Sequence, residues 1–279
     1  AVGDQRLGQA ALAEEAGQLS RVGSMTLPES VFAGGIKRIV QRRLAKVPAE
    51  LQPLSKLAAV LGRDVDRKVL HQFAPAEQVE TWLTACANAA VLDVQDDRWR
   101  FAHDKLREAL EIDLSDDERP ALHRQVAEAI EAVYPDDADY YDALMGHWRT
   151  AGNVERELHY LLPAVADMVV FRAQYDRADA LIARGLALLP PDDGRTATLL
   201  NNLCDIHYYR GDFAKSHEAA EAARVLAEKL GLQNELRLAL LNLGVGPDMQ
   251  SDAAQNYFQQ SLAVARSMDD KAGIASALN

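Results

Sequence analysis

Cysteine is scarce in this chain: Cys86 and Cys204 are the two it has among 279 residues. So wide a separation builds neither a disulfide framework nor a CxxC zinc or redox motif, and it fits a reducing, cytoplasmic compartment. Long apolar runs are missing as well. None approaches the roughly 18 to 20 residues of a membrane-spanning helix, and the opening AVGDQRLGQAALAEEAG is too acidic and interrupted for a signal peptide. Positive charge is in short supply. Thirty Lys and Arg stand against 42 Asp and Glu, a formal net charge of −12, with a pI near 5.0. That balance opposes general attraction to a nucleic-acid backbone or an anionic membrane.

Signatures of chemistry are missing too. The chain has no HExxH and no GxSxG, and its histidines (71, 103, 123, 147, 159, 207 and 217) fall in no family-specific Cys-His context. It also has no GxxxxGK[ST] phosphate loop: Gly34-Gly35 leads into Ile36-Lys37 without the spacing or a preceding strand. Asp136-Asp137-Ala138-Asp139 lacks the Gly and terminal Glu of a calcium loop. The residues read as a binding protein, not an enzyme, with no metal or cofactor of its own.

What is present is an ordinary globular composition, 48% hydrophobic and 26% charged, long enough for two domains. The chain has no initiator Met, opens in a helix-like stretch (Arg6 to Ala16) and stops in the apolar-periodic run Ile274, Ala277, Leu278, so we expect a piece of a longer polypeptide. Three zones follow from period and punctuation. Residues 1–46 read as a helix, a turn at Gly23 to Pro28 and a second helix with Ile36, Ile39, Val40 and Leu44 on one stripe. The second helix stops before Val47-Pro48. Its basic run from Lys37 to Lys46 is read as a solvated face or interface ahead of a nucleotide contact.

Residues 47–117 hold the strand signals. Helices are expected over Pro48 to Gly62, Asp66 to Phe73 and Pro75 to Ala90. Two short alternating segments, Val91 to Val94 and Arg98 to Phe101, then flank the turn Gln95-Asp96-Asp97. Three helices and a hairpin are in winged-helix order, with Val91, Leu92, Trp99 and Phe101 anchoring the wing. Trp82, Trp99 and Trp148 read as core.

Residues 118–279 read as an α-helical solenoid. Helical periods alternate with turns at Ala151-Gly152-Asn153, Gln174-Tyr175-Asp176, Arg210-Gly211-Asp212-Phe213 and Pro190 to Gly194. LLNNLCDI (Leu199 to Ile206) and LALLNLGV (Leu238 to Val245) overlap at an offset of 40 that superposes Asn202 on Asn242, which suggests a structural role shared between copies. Pro163 lies inside HYLLPAVADMVV, where it removes a helix hydrogen bond and introduces a kink. Gly246-Pro247 cuts one helix short. Exposed polar or aromatic residues on first helices of repeats, namely Asn201, Asp205, Tyr208 and Asn242, are the candidates for contact with a protein or small-molecule partner.

Two resemblances add to this. QYDRADALIARGLALLP (Gln174 to Pro190) resembles the second helix of a tetratricopeptide repeat, with Tyr175 at the turn, small Ala178 and Gly185 at helix crossings, large Ile182 and terminal Pro190. Ser251 departs from the pattern where an aromatic turn residue is usual. RWRFAHDKLREAL (Arg98 to Leu110) resembles the end of the winged-helix domain of STAND-type signalling ATPases, relatives of plant disease-resistance proteins and the apoptosome subunit. LPESVFAGGIKRIVQRRLAKVPAELQPLSKLAAVLG is similar to the segment that joins the nucleotide-binding lid to that domain. The resemblance implies a lid remnant (1–46), a winged helix (47–117) and a tetratricopeptide-like sensing arm (118–279), in a bacterial-type parent whose ATP-binding core is absent from this chain. It also implies that His103 reaches the β-phosphate of ADP held by the nucleotide-binding domain of the same parent, with Asp104 in the following acidic position.

From the residues alone, an imidazole at a helix start can donate to a phosphate oxygen beside free N–H groups; equally, His103 and Asp104 can be packing and capping residues. The alternatives are a winged-helix transcriptional regulator with a repeat domain and a plain α-solenoid adaptor. DNA reading is opposed by charge: Pro75 to Ala90 carries Glu77 and Glu80 and no Lys or Arg.

Overall fold

A computed structural model describes residues 38, 40–247 and 249–278 of the chain, which divides into two compact units between Glu118 and Arg119. The expected helix of Arg6 to Ala16, the turn at Gly23 to Pro28 and the stripe residues Ile36 and Ile39 lie outside the described residues. Residues 40–44 are helical, and Val40 is buried. Arg43 Nη1 donates to the Ala90 carbonyl at 2.9 Å.

In the first unit a short 3-10 turn, Ala49–Leu51, feeds α1 (Gln52–Leu61), where Pro53 sits in the first turn, the place where a missing N–H costs least. The helix ends at Gly62, whose φ of 140° is closed to ordinary side chains. The stretch expected as a helix over Asp66 to Phe73 winds a single α-turn, α2 (Arg67–Leu70). Asp66 caps it, accepting from Lys68 N at 2.8 Å, and 3-10-type bonds from Gln72 and Phe73 then close it. α3 (Ala76–Asn88) starts after Pro75 and buries Val79, Trp82, Leu83 and Cys86 on one stripe. The Trp82 indole N–H donates to Ser55 Oγ of α1 at 2.9 Å, so its polar end is satisfied inside the core.

The hairpin follows: β1 (Leu92–Gln95) and β2 (Arg98–Phe101) pair antiparallel, with Leu92 opposite Phe101 and Val94 opposite Trp99. Asp96 and Asp97 both take positive φ, the backbone a tight two-residue turn requires. Val91, Leu92 and Phe101 are buried, as expected of anchors, but Trp99 is only half-buried. Trp99 shares the anchors' sheet face but stands nearer the hairpin tip, opposite the 54%-exposed Val94. The link Arg63 to Val65 adds a backbone edge to the hairpin: Val65 N donates to Trp99 O at 2.8 Å and Phe101 N to Arg63 O at 3.2 Å. Helix α4 (Asp104–Ile112) then packs on α1 through a face that buries Leu106 and Leu110.

α5 (Glu118–Val133) opens with a reciprocal capping box: Ser115 N donates to Glu118 Oε2 at 3.1 Å and Glu118 N to Ser115 Oγ at 3.2 Å. Antiparallel helices continue with α6 (Tyr141–Thr150), α7 (Val154–Asp167), α8 (Tyr175–Leu188), α9 (Arg195–Tyr209), α10 (Phe213–Leu230), α11 (Gln233–Gly244), α12 (Asp252–Ser267) and α13 (Lys271–Leu278). Each packs chiefly on its neighbours in sequence. Among the described residues this unit has no strand, so the chain is mainly α, with one small hairpin and solenoid-like helical packing. Gly152 and Gly211 turn at positive φ, while Asn153 and Asp212 cap the helices that follow.

Gly185 sits where α8 crosses its neighbours; a Cβ there would stand 2.6 Å from Leu199 Cδ1 and 3.2 Å from Leu161 Cδ2. α7 runs through Pro163 and ends in a π-helical turn, Met168–Arg172, which leaves by the left-handed Ala173 and exposes Val170 and Phe171. Trp148 is buried, its indole donating to Glu131 at 2.7 Å. Ser251, in place of an aromatic, caps α12 by accepting from Ala254 N at 3.2 Å.

Candidate functional site

Two places carry the sequence candidates, one in each unit. His103 is the N-cap of α4, the second residue after β2, with an extended backbone (φ −146°, ψ 139°). Its carbonyl accepts from Leu106 N, but its side chain makes no capping bond and is exposed. Asp104 forms a long ion pair with Arg63 Nε at 3.6 Å. The junction thus presents an exposed imidazole beside a helix start and the guanidinium of Arg63.

In the second unit Asn201, Asp205 and Tyr208 lie on α9 at spacings of four and three, so they share one face. That face looks toward α11: Asn201 Nδ2 donates to the Glu235 carbonyl at 3.1 Å, and Thr198 Oγ1 reaches Glu235 Oε1 at 3.4 Å. Asn201, expected to be exposed, is instead buried against α11, with its Oδ1 unpartnered, and Asp205, Tyr208 and Asn242 are half-buried. Asn242 of α11 joins the column by hydrogen bonding to Asp205. Burial pushes the Asp205 carboxyl up to about 6 despite that bond. Asn202 and Asn242, which superpose in the repeat, do different work: Asn202 Nδ2 folds back onto Thr198 O of its own helix at 2.9 Å.

Sequence reading missed the aromatic surface around this column. Tyr175 stacks on Tyr209 at 5.4 Å, Tyr208 meets Tyr209 edge-on at 5.7 Å, and Tyr208 meets Phe213 at the same distance. Tyr209 and Phe213 are exposed. Arg210 anchors the ladder's first helix, bonding Asp176 at 2.6 Å and Asp179 at 2.8 Å. The available signal was the run Tyr208-Tyr209 followed by Phe213 at a turn, next to the already noted Tyr175. Beside the ladder, a cavity of about 210 Å³ opens between the start of α10, the end of α11 and the start of α12. Phe213, Ser216, His217, Asn242, Pro247 and Tyr257 are among its walls.

Cys204 and Ser216 lie behind it, Sγ to Oγ 3.2 Å, and burial raises the Cys204 thiol to about 11, which keeps it a neutral packing group. Among the described residues no three His, Cys, Asp or Glu side chains gather as metal ligands, and no helix is long and apolar enough to cross a membrane.

No protein-family model matches this chain, and no curated protein matches it. Two solved structures are similar at low identity. BtubC (BKLC) from P. vanneervenii is 17% identical over 82% of this chain and 92% of its own, with a TM-score of 0.42. PH0952 from Pyrococcus horikoshii, a signal transduction ATPase with numerous domains and a tetratricopeptide repeat sensor, is 12% identical over 82% of this chain, with a TM-score of 0.32. This chain covers 46% of PH0952.

Proposed function

We propose that this chain is the regulatory and ligand-sensing part of a STAND-type signalling ATPase. Residues 47–117 act as a winged helix that reads nucleotide state, and residues 118–279 act as a tetratricopeptide-like arm that binds a partner. The observation that carries the reading is His103: it follows the hairpin directly, begins α4, and keeps its ring exposed and unused as a cap. There it can donate to a phosphate oxygen while the free N–H groups of the first turn favour the same anion. The resemblance of RWRFAHDKLREAL to the corresponding family segment supports the same role.

The mechanism is a population shift. ADP contact through His103 favours a closed arrangement of the parent, and a ligand that prefers the open arrangement draws the equilibrium the other way. The arm's partner meets the exposed edge beside the α9 column, where Tyr209 and Phe213 flank Tyr208, while the buried Asn201 holds α9 to α11. Hydrolysis belongs to the nucleotide-binding domain of the parent, because this chain has no phosphate loop. A DNA-reading role is opposed by α3, the helix that would enter the groove, which carries Glu77 and Glu80 and no Lys or Arg.

The test is nucleotide content in the full-length parent. Purified protein is expected to carry ADP, and His103→Ala to release it and raise basal output. A parent that holds no nucleotide, or a His103→Ala variant with unchanged ADP affinity and output, overturns the assignment.

A further inference from the structure

The two ends of the antiparallel helices in the second unit differ in what their turns expose. The turns between α7 and α8, α9 and α10, and α11 and α12 share one end. Tyr175 at the start of α8 stacks on Tyr209 at the end of α9, Tyr208 meets Phe213 of α10, and one cavity joins Phe213 to Pro247 and Ser251. Arg177 of α8 pairs with Asp142 at the start of α6, which brings the turn before α6 to the same end. The turns at 151–153, 189–194 and 231–232 share the other end, where Arg195 bonds Glu155 at 2.7 Å and Lys229 bonds Asp192.

Exposed large apolar side chains gather on the first end: Val170, Phe171, Tyr209, Phe213 and Met249, with Phe171 82% exposed. The π-helical turn Met168–Arg172, which touches α8 and α9, carries the first two. Elsewhere in this unit the described residues expose only Val154 and Val225, one at a time. Apolar side chains concentrated on one face, against single ones scattered elsewhere, mark an interaction surface.

Charge on this end has one sign. Residues 134–142, 167–179, 207–218 and 249–252 hold ten Asp and Glu against four Lys and Arg. The opposite turns, 149–156, 189–196, 229–236 and 267–272, hold six against five. All four bases of the first end are paired within it: Arg172 with Asp167, Arg177 with Asp142, Arg210 with Asp176 and Asp179, and Lys215 with Asp212. Asp136, Asp139 and Asp252 are exposed, and no Lys or Arg forms an ion pair with them among the described residues. His207 and His217 also lie in these segments, and even with both protonated the edge stays negative.

We infer that this edge is a docking surface for a basic, apolar-containing polypeptide segment of a partner protein. Its apolar side chains cover Phe171, Tyr209 and Phe213, and its Lys or Arg side chains answer the surrounding carboxylates. α9 packs on both α7 and α11. At interaxial distances of about 8 to 10 Å the three turns span roughly 20 Å, the reach of about six extended residues. A second copy presents the same negative edge and is repelled, as is an anionic membrane. The inference rests on the reading of the repeat arm as the partner-binding part and supplies the chemistry of that partner.

Fluorescence anisotropy at physiological salt tests it, with the full chain titrated into a labelled, end-blocked peptide Leu-Lys-Phe-Lys-Leu-Lys. Saturable binding is expected. It should weaken tenfold or more for the charge-reversed Leu-Glu-Phe-Glu-Leu-Glu and for Ser-Lys-Ser-Lys-Ser-Lys, which keeps the charge and loses the apolar groups. Phe171→Ser and Tyr209→Ser should each weaken it about fivefold while circular dichroism stays native, because both side chains are exposed. Val154→Ser, at the opposite end, should leave it unchanged. No saturable binding to folded protein overturns the surface. So does equal binding of either control peptide, indifference to both Phe171→Ser and Tyr209→Ser, or a dimer of this chain that Phe171→Ser dissolves. ADP retention by the parent is a separate readout, so a failed titration leaves the nucleotide assignment standing.

Discussion

Asp205 and Gly185 show how one residue sets the terms for its neighbours. Asp205 has a folded-state pKa of about 6 against an ordinary 3.8, so the folded protein holds the extra proton between those values. Below about pH 4 the group is protonated in both states and costs nothing; as pH rises toward 6 stability falls, and above 6 the full penalty applies. Asp205→Asn is therefore expected to stabilise by about 2 to 3 kcal/mol at pH 7 and by almost nothing at pH 3.5, read from urea midpoints at the two pH values. Such a cost comes from burying a carboxyl with no guanidinium or ammonium to answer it. Gly185 is the opposite case, a residue kept for packing. Ala would gain roughly 0.5 to 1 kcal/mol of helix propensity, yet its Cβ would meet Leu199 and Leu161. We expect Gly185→Ala to lose about 1 to 2 kcal/mol net, seen as a lowered Tm. The position of Gly185 was legible in the spacing of Ala178, Ile182 and Gly185. The cost at Asp205 was not, because it depends on burial against α11, which no local pattern records.

Among elements, the contacts of α5, α6, α7 and α8 are the informative ones. His123 of α5 and His147 of α6 bring their Nδ1 atoms to 3.0 Å, a geometry in which one ring donates and the other accepts. Burial holds both below the usual imidazole range, His147 at about 4, with Arg119 adding to the effect at His123 and His123 adding to it at His147. The unfolded chain thus binds more protons between about pH 4 and 6.5, and the stabilising contribution present above 6.5 is lost on acidification. The loss from His147 alone is on the order of 3 kcal/mol. A His147→Asn variant should show a flatter stability profile than the wild type across that window, Asp205 acting equally on both.

Glu157 ties three helices, accepting from Arg149 of α6 at 2.7 Å and Arg184 of α8 at 3.1 Å. Its burial works against ionisation, but the hydrogen bonds from Arg184 and Arg149 prevail and hold the carboxyl low. Glu157→Gln keeps one acceptor but removes the charge that both half-exposed guanidiniums answer, and should cost about 1 to 2 kcal/mol, measured by denaturant midpoint. The helix boundaries here could be read in advance from Gly152-Asn153 and Pro190 because turns have local chemistry. The backbone edge at Arg63 to Val65 and the stacking of Tyr175 on Tyr209 could not, since they join residues more than 30 positions apart.

For the whole molecule, the net charge of −12 leads to a prediction about partners. Duplex DNA should not bind at physiological salt; a submicromolar, sequence-dependent constant by fluorescence anisotropy would restore the transcription-factor alternative. Fold class was readable at this scale because hydrophobic period changes character along the chain, twofold at the hairpin and helical elsewhere. The packing of the helices from α6 onward on their sequence neighbours also sets how the second unit is made and unmade in time. Short loops close before any distant contact is needed, so folding should be fast and local. Opening should proceed helix pair by helix pair, and native-state hydrogen exchange should report a graded set of protections along α5 to α13 instead of one global value.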